Sequence, residues 1–332
     1  MMYYLLTDLG NKTAAELAQD FATIPEDTTT IDLSENDLYK KITSELAQAF
    51  AAIPASVISL DLSWNSLYRK TGADLAQAFA AIPATVTSLN LCGNFLYKKI
   101  NADQVQIFAA IPAGVTSLDL GWNGLGKKTA AELAKAFASI SAGVTSLDLS
   151  WNLFYNKTGV ELAQIFAAIP AGVTALNLRE NDFYKKTTAE LIQALVAIPA
   201  TVTTITLSER DIVNRSATEL INLGKALPHT LIKIVDSNNE PSKHAKTQEL
   251  QKHMGAWINE AHAQLTNIPL PEVLVNLILE KETGVHAVEI SSFAKANVSV
   301  EKNKNKFFKA NNHFANKPQH EEEQEIVTLF IV

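Results

Sequence analysis

Acidic side chains recur along this chain in one fixed phase, 29 residues apart. The column comprises Asp32, Asp61, Asp119 and Asp148, with Asn90, Asn177 and Thr206 at the same phase. Carboxylates stacked about 4.8 Å apart repel one another by roughly 1 kcal/mol in water, and the intervening asparagines limit that repulsion. Two interpretations stay open, a solvated hydrogen-bonded strip and an acidic floor that attracts a basic partner. A metal site is disfavoured because a flat column has no enclosing loop of oxygen ligands.

Three of the four tryptophans, Trp64, Trp122 and Trp151, share a second phase three residues further along. The other members of this column are Glu35, Gly93, Glu180 and Glu209. Exposed tryptophan beside carboxylates is typical of the hot spots of protein interfaces. The alternative is that each indole packs onto its own loop and seals the edge of its repeat. A notch beside Trp122 is predicted by the glycines Gly93, Gly121, Gly124 and Gly126.

The one candidate nucleophile is Cys92, the single cysteine of the chain. His229 is the only histidine before residue 241, and its repeat position is not near Cys92, so a Cys–His pair is not expected. The sequence also lacks a phosphate-binding loop and an H-E-x-x-H zinc motif. A single cysteine excludes an internal disulfide and indicates a reducing compartment. We therefore expect no catalytic residue, no cofactor and no metal.

Two further columns, one of tyrosines and one of basic residues, follow in the same 29-residue phase. They comprise Tyr39, Tyr68, Tyr97, Tyr155 and Tyr184, and Lys41, Lys70, Lys99, Lys128, Lys157, Lys186 and Arg215. We expect the basic column to be a solvated loop edge, with the tyrosines packing across repeats. The alternative, binding of phosphate or of an anionic membrane surface, is weakened by the negative net charge.

The elements that position these columns follow from a single repeat. Leu147 and Leu149 alternate with polar residues, and this period of two predicts a short strand with one apolar face. The amide of Asn152 follows where the chain turns and predicts a ladder of hydrogen bonds between stacked repeats. Thr158 and Glu161 have the spacing of a capping box at the start of a helix. The same box recurs at Thr13, Thr129, Thr187 and Ser216.

Stacking such units predicts a curved solenoid. Parallel strands stack about 4.8 Å apart, whereas neighbouring helices need about 8–10 Å. The mismatch bends the stack by roughly 20° per repeat, with the sheet on the inner, concave side. The fold class is therefore α/β, a horseshoe with a concave parallel sheet and convex helices, followed by a small, mainly helical C-terminal region.

The core pattern LxLxxN is the strongest family signal in the sequence. It reads Leu147-Asp-Leu149-Ser-Trp-Asn152 in one copy, and other copies begin at Ile31, Leu60, Leu89, Leu118 and Leu176, with weaker ones at Ile205 and Ile234. Eight copies at this period, each with a downstream helix, resemble the leucine-rich repeat family and its ribonuclease-inhibitor-like class of 29-residue units. The resemblance covers about residues 2–240, and it implies protein–protein recognition on the concave face.

The candidate partner-binding residues are those that vary between repeats on the predicted concave face. They are Asp32, Asp61, Trp64, Asp119, Trp122, Asp148, Trp151 and Arg179. The expected partner is a protein of basic character.

Three segments are predicted. Residues 1–240 form the solenoid of about eight repeats, residues 241–300 a helical C-terminal cap, and residues 301–332 a mobile segment with an acidic and apolar tail. The array decays near its end, where Arg210 replaces the ladder asparagine and Asn239 restores it. The third repeat also departs from the pattern, with Gln104 at a leucine position and Ile100 at the cap position.

Net charge and hydropathy exclude several classes of function. A net charge of −7 argues against a general nucleic-acid binder, which needs a clustered basic field. No run of eighteen apolar residues exists, so no transmembrane segment is expected. The N-terminal residues Met1–Asp8 lack the charged and apolar regions of a secretory signal.

Two short resemblances concern the C-terminal region. Four glutamates within residues 321–325, before the apolar Ile326–Val332, resemble the E-block signal of Dot/Icm-type type IV effectors. The resemblance implies delivery into a host cytoplasm without a signal peptide, and a host protein as the partner. An ordinary acidic tail in a cytoplasmic protein explains the same residues. Residues 268–279 loosely resemble the opening of an F-box or a SOCS box, which would make the chain a ubiquitin-ligase substrate adaptor. The alternative is an amphipathic helix that caps the solenoid.

Overall fold

The computed structural model describes residues 2–250 of the chain, except residues 100, 228, 229 and 249. Within these residues, nine parallel strands pair in chain order in one open sheet. The strands are β1 Tyr3–Leu5, β2 Thr30–Asp32, β3 Ser59–Asp61, β4 Ser88–Asn90, β5 Ser117–Asp119, β6 Ser146–Asp148, β7 Ala175–Asn177, β8 Thr204–Ser208 and β9 Leu231–Val235. The predicted tail, F-box-like helix and E-block lie outside the described residues, as does the predicted cap beyond residue 250. The predicted segment boundaries remain predictions.

Each of the first eight strands is followed by a short turn of helix and then by a longer helix. The helices are α1 Ala14–Ala22, α2 Thr43–Ala51, α3 Gly72–Phe79, α4 Asn101–Ala109, α5 Ala130–Phe137, α6 Gly159–Phe166, α7 Thr188–Leu195, α8 Arg210–Val213 and α9 Ala217–Ala226. Single 3-10 turns occupy Leu9–Asn11, Leu38–Lys40, Leu67–Arg69, Leu96–Lys98, Leu125–Lys127, Phe154–Asn156 and Phe183–Lys185. The sheet forms the concave face of the horseshoe and the helices form its convex face, as predicted.

The helices begin at the capping boxes that the sequence indicates. Thr158 accepts a hydrogen bond from the Glu161 amide at 3.2 Å, and the Glu161 carboxylate accepts one from the Thr158 amide at 2.8 Å. The boxes at Thr13, Thr129, Thr187 and Ser216 are likewise confirmed. Each box satisfies two amide groups that a helix N-terminus leaves without an internal partner.

The core is a continuous apolar layer between sheet and helices. Leu147 and Leu149 of the strand region and Leu162 and Phe166 of α6 are all at most 1 % exposed. The same positions are buried in the neighbouring repeats, so each coil is covered by the next one. A single unit therefore depends on its neighbours to bury its apolar face.

A ladder of buried asparagines connects the coils, as predicted. Asn123 is fully buried, and its amide donates to the carbonyls of Leu91, Leu120 and Gly121 at 3.0–3.1 Å. Its side-chain oxygen accepts the amides of Asn94 and Leu96 from the preceding repeat at 3.1 and 3.2 Å. The ladder residues, all at most 2 % exposed, are Asn36, Asn65, Asn94, Asn123, Asn152 and Asn181.

The period is 29 residues only between β2 and β8. Tyr4 pairs with Ile31, and Ile205 pairs with Ile232, so the first and last intervals are 27 residues long. The predicted last copy at Ile234 is therefore wrong by two residues. The segment Ile169-Pro-Ala-Gly-Val-Thr174 before β7 has the shorter counterpart Leu227-Pro-His-Thr230 before β9, which accounts for the shift.

The ladder also ends differently from the prediction. Arg210 replaces the asparagine but lies exposed and pairs with Glu180 at 2.8 Å. Its neighbour Asp211 is buried and accepts the Tyr184 and Ser208 amides at 2.9 and 3.2 Å, and burial raises the pKa of this carboxyl to about 6. Asn239 does not restore the ladder, because it is exposed in a left-handed turn.

Gln104 breaks the apolar pattern of α4, as the sequence indicates. It is fully buried, and its Nε2 donates to the Leu96 carbonyl at 2.9 Å. Its Oε1 has no hydrogen-bond partner among the described residues. A buried unpaired amide oxygen is destabilising, so Gln104 weakens the coil that contains β4 and α4.

We predict that Asn123→Ala lowers the free energy of unfolding by about 3 kcal/mol or more, because it leaves five backbone groups without their buried partner. Urea unfolding followed by circular dichroism measures the loss. Asn156→Ala is the matched control, since Asn156 is exposed and should change stability by no more than about 0.5 kcal/mol. Equal losses in the two variants would contradict the ladder's role.

Candidate partner-binding site

The outward-facing side chains of the strands form a shallow groove across the concave face. Its volume is about 360 Å³, and it extends over β1 to β6. The first strand position supplies hydroxyls and the third supplies the acidic column, and the main lining residues are Thr30, Ser59, Ser88, Ser117, Ser146, Asp32, Asp61, Asn90, Asp119 and Asp148. The floor is therefore polar and acidic, as predicted.

Backbone hydrogen bonds fix the carboxylates of the floor. One oxygen of Asp61 accepts the amide of Ser63 at 2.8 Å, and the other acidic strand residues repeat this contact. The second oxygen of Asp61 accepts from the Asn90 amide at 2.9 Å, and that of Asp148 from the Asn177 amide at 2.6 Å. The asparagines thus pair with carboxylates, which limits repulsion along the column.

Asp32 has a different partner at the start of the array. The hydroxyl of Tyr3 donates to its second oxygen. Burial raises the pKa of the Asp32 carboxyl, but hydrogen bonds from Tyr3 and Ser34 outweigh burial and leave the pKa below its ordinary value. This carboxylate is therefore charged and already partly satisfied.

Asp119 lacks a second hydrogen bond that would offset the effect of burial on its pKa. Its Oδ1 accepts the Gly121 amide at 2.7 Å, and its Oδ2 has no hydrogen-bond partner among the described residues. Burial, and then the neighbouring charge of Asp148, raises the pKa of this carboxyl to about 6. The positive charge of Arg179 opposes that shift, although the two side chains form no ion pair. Asp119 is the floor carboxylate with the most to gain from a cationic partner.

Cys92 and Arg179 share one column at the edge of the floor. Burial, together with Asp119 and Asp148, raises the pKa of the Cys92 thiol to about 12. A thiol with this pKa stays protonated at neutral pH, unlike the activated nucleophile of an enzyme. Arg179 is half-buried, and its Nε has no hydrogen-bond partner among the described residues. It supplies a positive charge at one end of an otherwise acidic floor.

The tryptophans lie beyond the carboxyl ends of the strands and stack on one another. The ring centroids of Trp122 and Trp151 are 4.4 Å apart with planes inclined by 16°, and those of Trp64 and Trp122 are 5.9 Å apart. Trp64 is 41 % exposed and Trp122 is 44 % exposed. The indoles thus form a tryptophan ladder across four repeats, instead of each packing only onto its own loop.

The predicted notch beside Trp122 is wrong, because neighbouring aromatic rings fill it. A Cβ atom at Gly93 would lie 2.5 Å from the ring of Trp64, which crosses this position to reach Trp122. At Gly124 a Cβ atom would lie 2.7 Å from the ring of Tyr97. The glycines make room for rings from the preceding repeat.

The backbone of the tryptophan column is left-handed. The φ angles of Trp64, Trp122 and Trp151 are 56°, 53° and 57°, and Gly93 occupies the same conformation at 69°. This region costs a residue with a side chain roughly 1 kcal/mol relative to glycine. Local backbone preference therefore favours glycine in this column, and the indoles are present despite that preference.

The lysine column is not the solvated edge that we predicted. Lys41 and Lys99 are 6 % and 7 % exposed, and they donate to the carbonyls of Lys12 and Lys70 in the preceding repeat. Arg215 is similarly buried, and it donates to the corresponding carbonyl at 3.4 Å. The charges are buried because each of these side chains satisfies a backbone carbonyl between the coils.

The exposed basic column lies one residue earlier, in the 3-10 turns. Its members are Lys40, Arg69, Lys98, Lys127 and Lys185, and we call this edge of the solenoid the rim. Lys98 and Lys127 each lie 4.1 Å from the ring centroid of the tyrosine in the preceding repeat, and Arg69 and Lys185 make the same contact at 4.3 and 3.7 Å. The tyrosines therefore pack across repeats, as predicted, and hold the cations.

Comparison with solved structures finds similarity to a leucine-rich repeat protein. The chain is similar to the crystal structure of the leucine-rich repeat-containing protein LegL7 from Legionella pneumophila, with 35% sequence identity and a TM-score of 0.60. The match covers 77% of this chain and 98% of that one. No protein-family profile and no curated protein matches the sequence.

The described residues offer neither a membrane span nor a metal cluster. None of their helices has the length and apolar character needed to cross a bilayer. They also contain no group of three or more histidine, cysteine or carboxylate side chains placed to hold a metal ion. Binding of a partner by the floor and the tryptophan ladder is the chemistry that this arrangement supports.

We predict that Asp119→Asn stabilises the chain above about pH 6 but not below about pH 4. Because the folded-state pKa is raised, the unfolded wild-type chain releases this proton first as pH rises, and the folded state loses stability across that window. Asparagine does not titrate, so the stability gain should grow to about 1–3 kcal/mol by pH 7. Urea unfolding of both proteins at several pH values measures it, and parallel pH profiles would contradict the assignment.

Proposed function

Because this chain belongs to the leucine-rich repeat family, we propose that it is a non-enzymatic scaffold that binds a protein partner on its concave face. The observation that carries the proposal is the exposed tryptophan ladder beside the acidic floor. Trp64, Trp122 and Trp151 are large aromatic side chains on the surface of a folded unit whose core is otherwise complete. Such side chains beside fixed carboxylates are the usual hot-spot residues of protein interfaces.

Stability alone does not explain the residues of the site. In the tryptophan column the left-handed backbone favours glycine, which the chain uses at Gly93. In the acidic column an amide is tolerated, as Asn90 and Asn177 show, yet Asp119 keeps a carboxyl whose pKa is raised. A carboxyl that destabilises the fold at a position where an amide is tolerated is typical of a binding surface.

The floor favours a partner with basic side chains. Asp61, Asp119 and Asp148 present carboxylates to the groove, and a lysine or arginine of the partner would supply the charge that Asp119 lacks. The overall charge of −7 adds electrostatic steering toward a basic protein. The indoles would contribute most of the affinity through buried aromatic area, and the carboxylates most of the specificity.

We predict that Trp122→Ala and Trp151→Ala each weaken partner capture while the fold remains intact. Removing either indole from the stack should lower the free energy of unfolding by only about 0.5–1.5 kcal/mol. The immobilised full chain is used to capture proteins from a host-cell lysate, which mass spectrometry quantifies. The specific partner should be depleted about tenfold or more by either variant, since a lost hot spot costs at least that in affinity.

The matched controls for this capture are Val160→Ala and Ile42→Ala. Both side chains are more than 60 % exposed at the N-terminal ends of helices, and neither belongs to the floor or the tryptophan ladder. Capture should survive both changes. A partner lost equally from control and tryptophan variants, or retained by all of them, would remove the support for this surface.

We further propose that the chain is an effector that acts inside a host cell. Two observations support this: the glutamate cluster Glu321–Glu325 resembles a translocation signal, and the chain is similar to a leucine-rich repeat protein of Legionella pneumophila. Neither of them bears on which protein the effector binds.

Deletion of residues 318–332 tests this second proposal. If Glu321–Glu325 act as a translocation signal, delivery of a reporter fusion from the bacterium into host cells should fall to background. Expression level and urea unfolding of the truncated chain serve as controls for folding. Delivery that is unaffected by the deletion would contradict the proposed signal and would leave the binding function untouched.

A further inference from the structure

Each of β2 to β7 is followed by two residue positions whose side-chain chemistry changes together along the array. In the flanking repeats they carry paired acids, Glu35 with Asp37 and Glu180 with Asp182. In the four central repeats the pairs are Trp64 with Ser66, Gly93 with Phe95, Trp122 with Gly124, and Trp151 with Leu153. All of these residues share the left-handed backbone conformation, so this difference in chemistry is independent of the fold.

The change leaves three rim cations without a salt bridge among the described residues. In the flanking repeats Lys40 pairs with Asp37 and Lys185 with Asp182, each at 2.8 Å. In the central repeats Arg69, Lys98 and Lys127 occupy the same exposed position and form no salt bridge with any described residue. These cations are held by tyrosine rings, which orient them but do not neutralise them.

The same cations border the exposed aromatic surface. The Nζ of Lys98 lies 5.3 Å from the centroid of Phe95, and Phe95 lies 6.3 Å from Trp64 in an edge-to-face contact. Phe95 is 36 % exposed, and Trp64 continues into the tryptophan ladder. The central rim thus combines an apolar strip with an adjacent row of unneutralised positive charges.

We propose that the central rim, formed by Arg69, Lys98, Lys127, Trp64 and Phe95, is a second docking surface for an extended protein segment that carries carboxylates beside apolar side chains. The proposal rests on the proposed scaffold function only in that Trp64 is shared with the tryptophan ladder. A basic segment fits the floor, whereas the rim has the opposite charge and requires an acidic one.

The spacing of the rim favours an extended segment. Repeats are about 4.8 Å apart at the sheet and about 8–10 Å apart at the helices, and the 3-10 turns lie between these layers. Side chains on one side of an extended chain recur about every 6.6 Å, which falls within that interval. Successive carboxylates of one segment can therefore meet successive rim cations. A row of separated cations suits this better than it suits one phosphate, which needs cations that converge on it.

Binding of a synthetic peptide in which glutamate and leucine alternate tests the proposal. The labelled peptide is titrated with the full chain, and fluorescence anisotropy reports binding. Combined replacement of Arg69, Lys98 and Lys127 by glutamine should weaken binding about tenfold at low salt, given the usual strength of exposed charge pairs. A peptide with glutamine in place of glutamate should bind no better than the triple variant binds the acidic peptide.

The chain offers a matched control in the same column. Lys40→Gln with Lys185→Gln removes cations that already pair with Asp37 and Asp182, so affinity for the acidic peptide should stay within about twofold of wild type. Equal loss in control and triple variants would reduce the effect to net charge and would overturn the proposal. Asp119→Asn should weaken a lysine–leucine peptide but not the acidic one, which separates failure of the floor from failure of the rim.

Two parallel measurements address other occupants of the rim. Glu321–Val332 has the same acidic and apolar chemistry, so a chain that lacks these residues is titrated as well. Peptide binding seen only after that truncation would assign the rim to this segment and overturn a separate partner. Tighter binding to phosphatidylserine–phosphatidylcholine vesicles than to the peptide, lost in the triple variant, would assign the rim to membranes and would also overturn it.

Discussion

The buried amide of the asparagine ladder is the interaction on which the rest of this structure depends. Each Asn side chain is almost fully buried and bonds backbone groups of its own coil and of the preceding one. It therefore fixes the register of successive strands and the path of the loop that follows them. The columns of the concave face exist because that register is repeated without error from β2 to β8.

Much of the fold could be predicted because its causes are local and repeated. The alternating leucines, the ladder asparagines and the capping boxes can each be recognised within a few residues of sequence. The similarity to LegL7 confirms the leucine-rich repeat fold. The end of the array could not be read in this way, because a shortened connection moves the register of β9 by two residues. The repeat pattern does not indicate the role of Asp211 either, because this residue accepts the ladder hydrogen bonds from one position after Arg210, which holds the phase of the asparagines.

The candidate site shows a similar division. The acidic column follows from strand alternation and is found where the phase places it. Trp64 and Trp122 lie beyond the strands, and they are exposed on left-handed backbone that alternation does not describe. The neighbouring basic columns could not be told apart from the sequence, because, of two residues one position apart, one is buried and the other exposed. Lys41 is buried against a backbone carbonyl, whereas Lys40 lies on the surface. The sequence shows that a residue is a lysine, but it does not show the backbone carbonyl of the preceding repeat to which the buried ammonium donates. The signal that could have revealed the rim is the joint loss of acids at the two left-handed positions of the central repeats.

The constant interval between β2 and β8 has a consequence for the history of the chain. The hexapeptides Leu60–Asn65 and Leu147–Asn152 are identical, and the coils that contain them meet their neighbours through the same contacts. Recombination between such segments can add or remove whole units while every amide of the ladder still finds a partner, and the two irregular ends are left unaltered. The length of the acidic groove, and thus the size of the partner segment that it accommodates, can change by one repeat at a time while the packing between repeats stays the same.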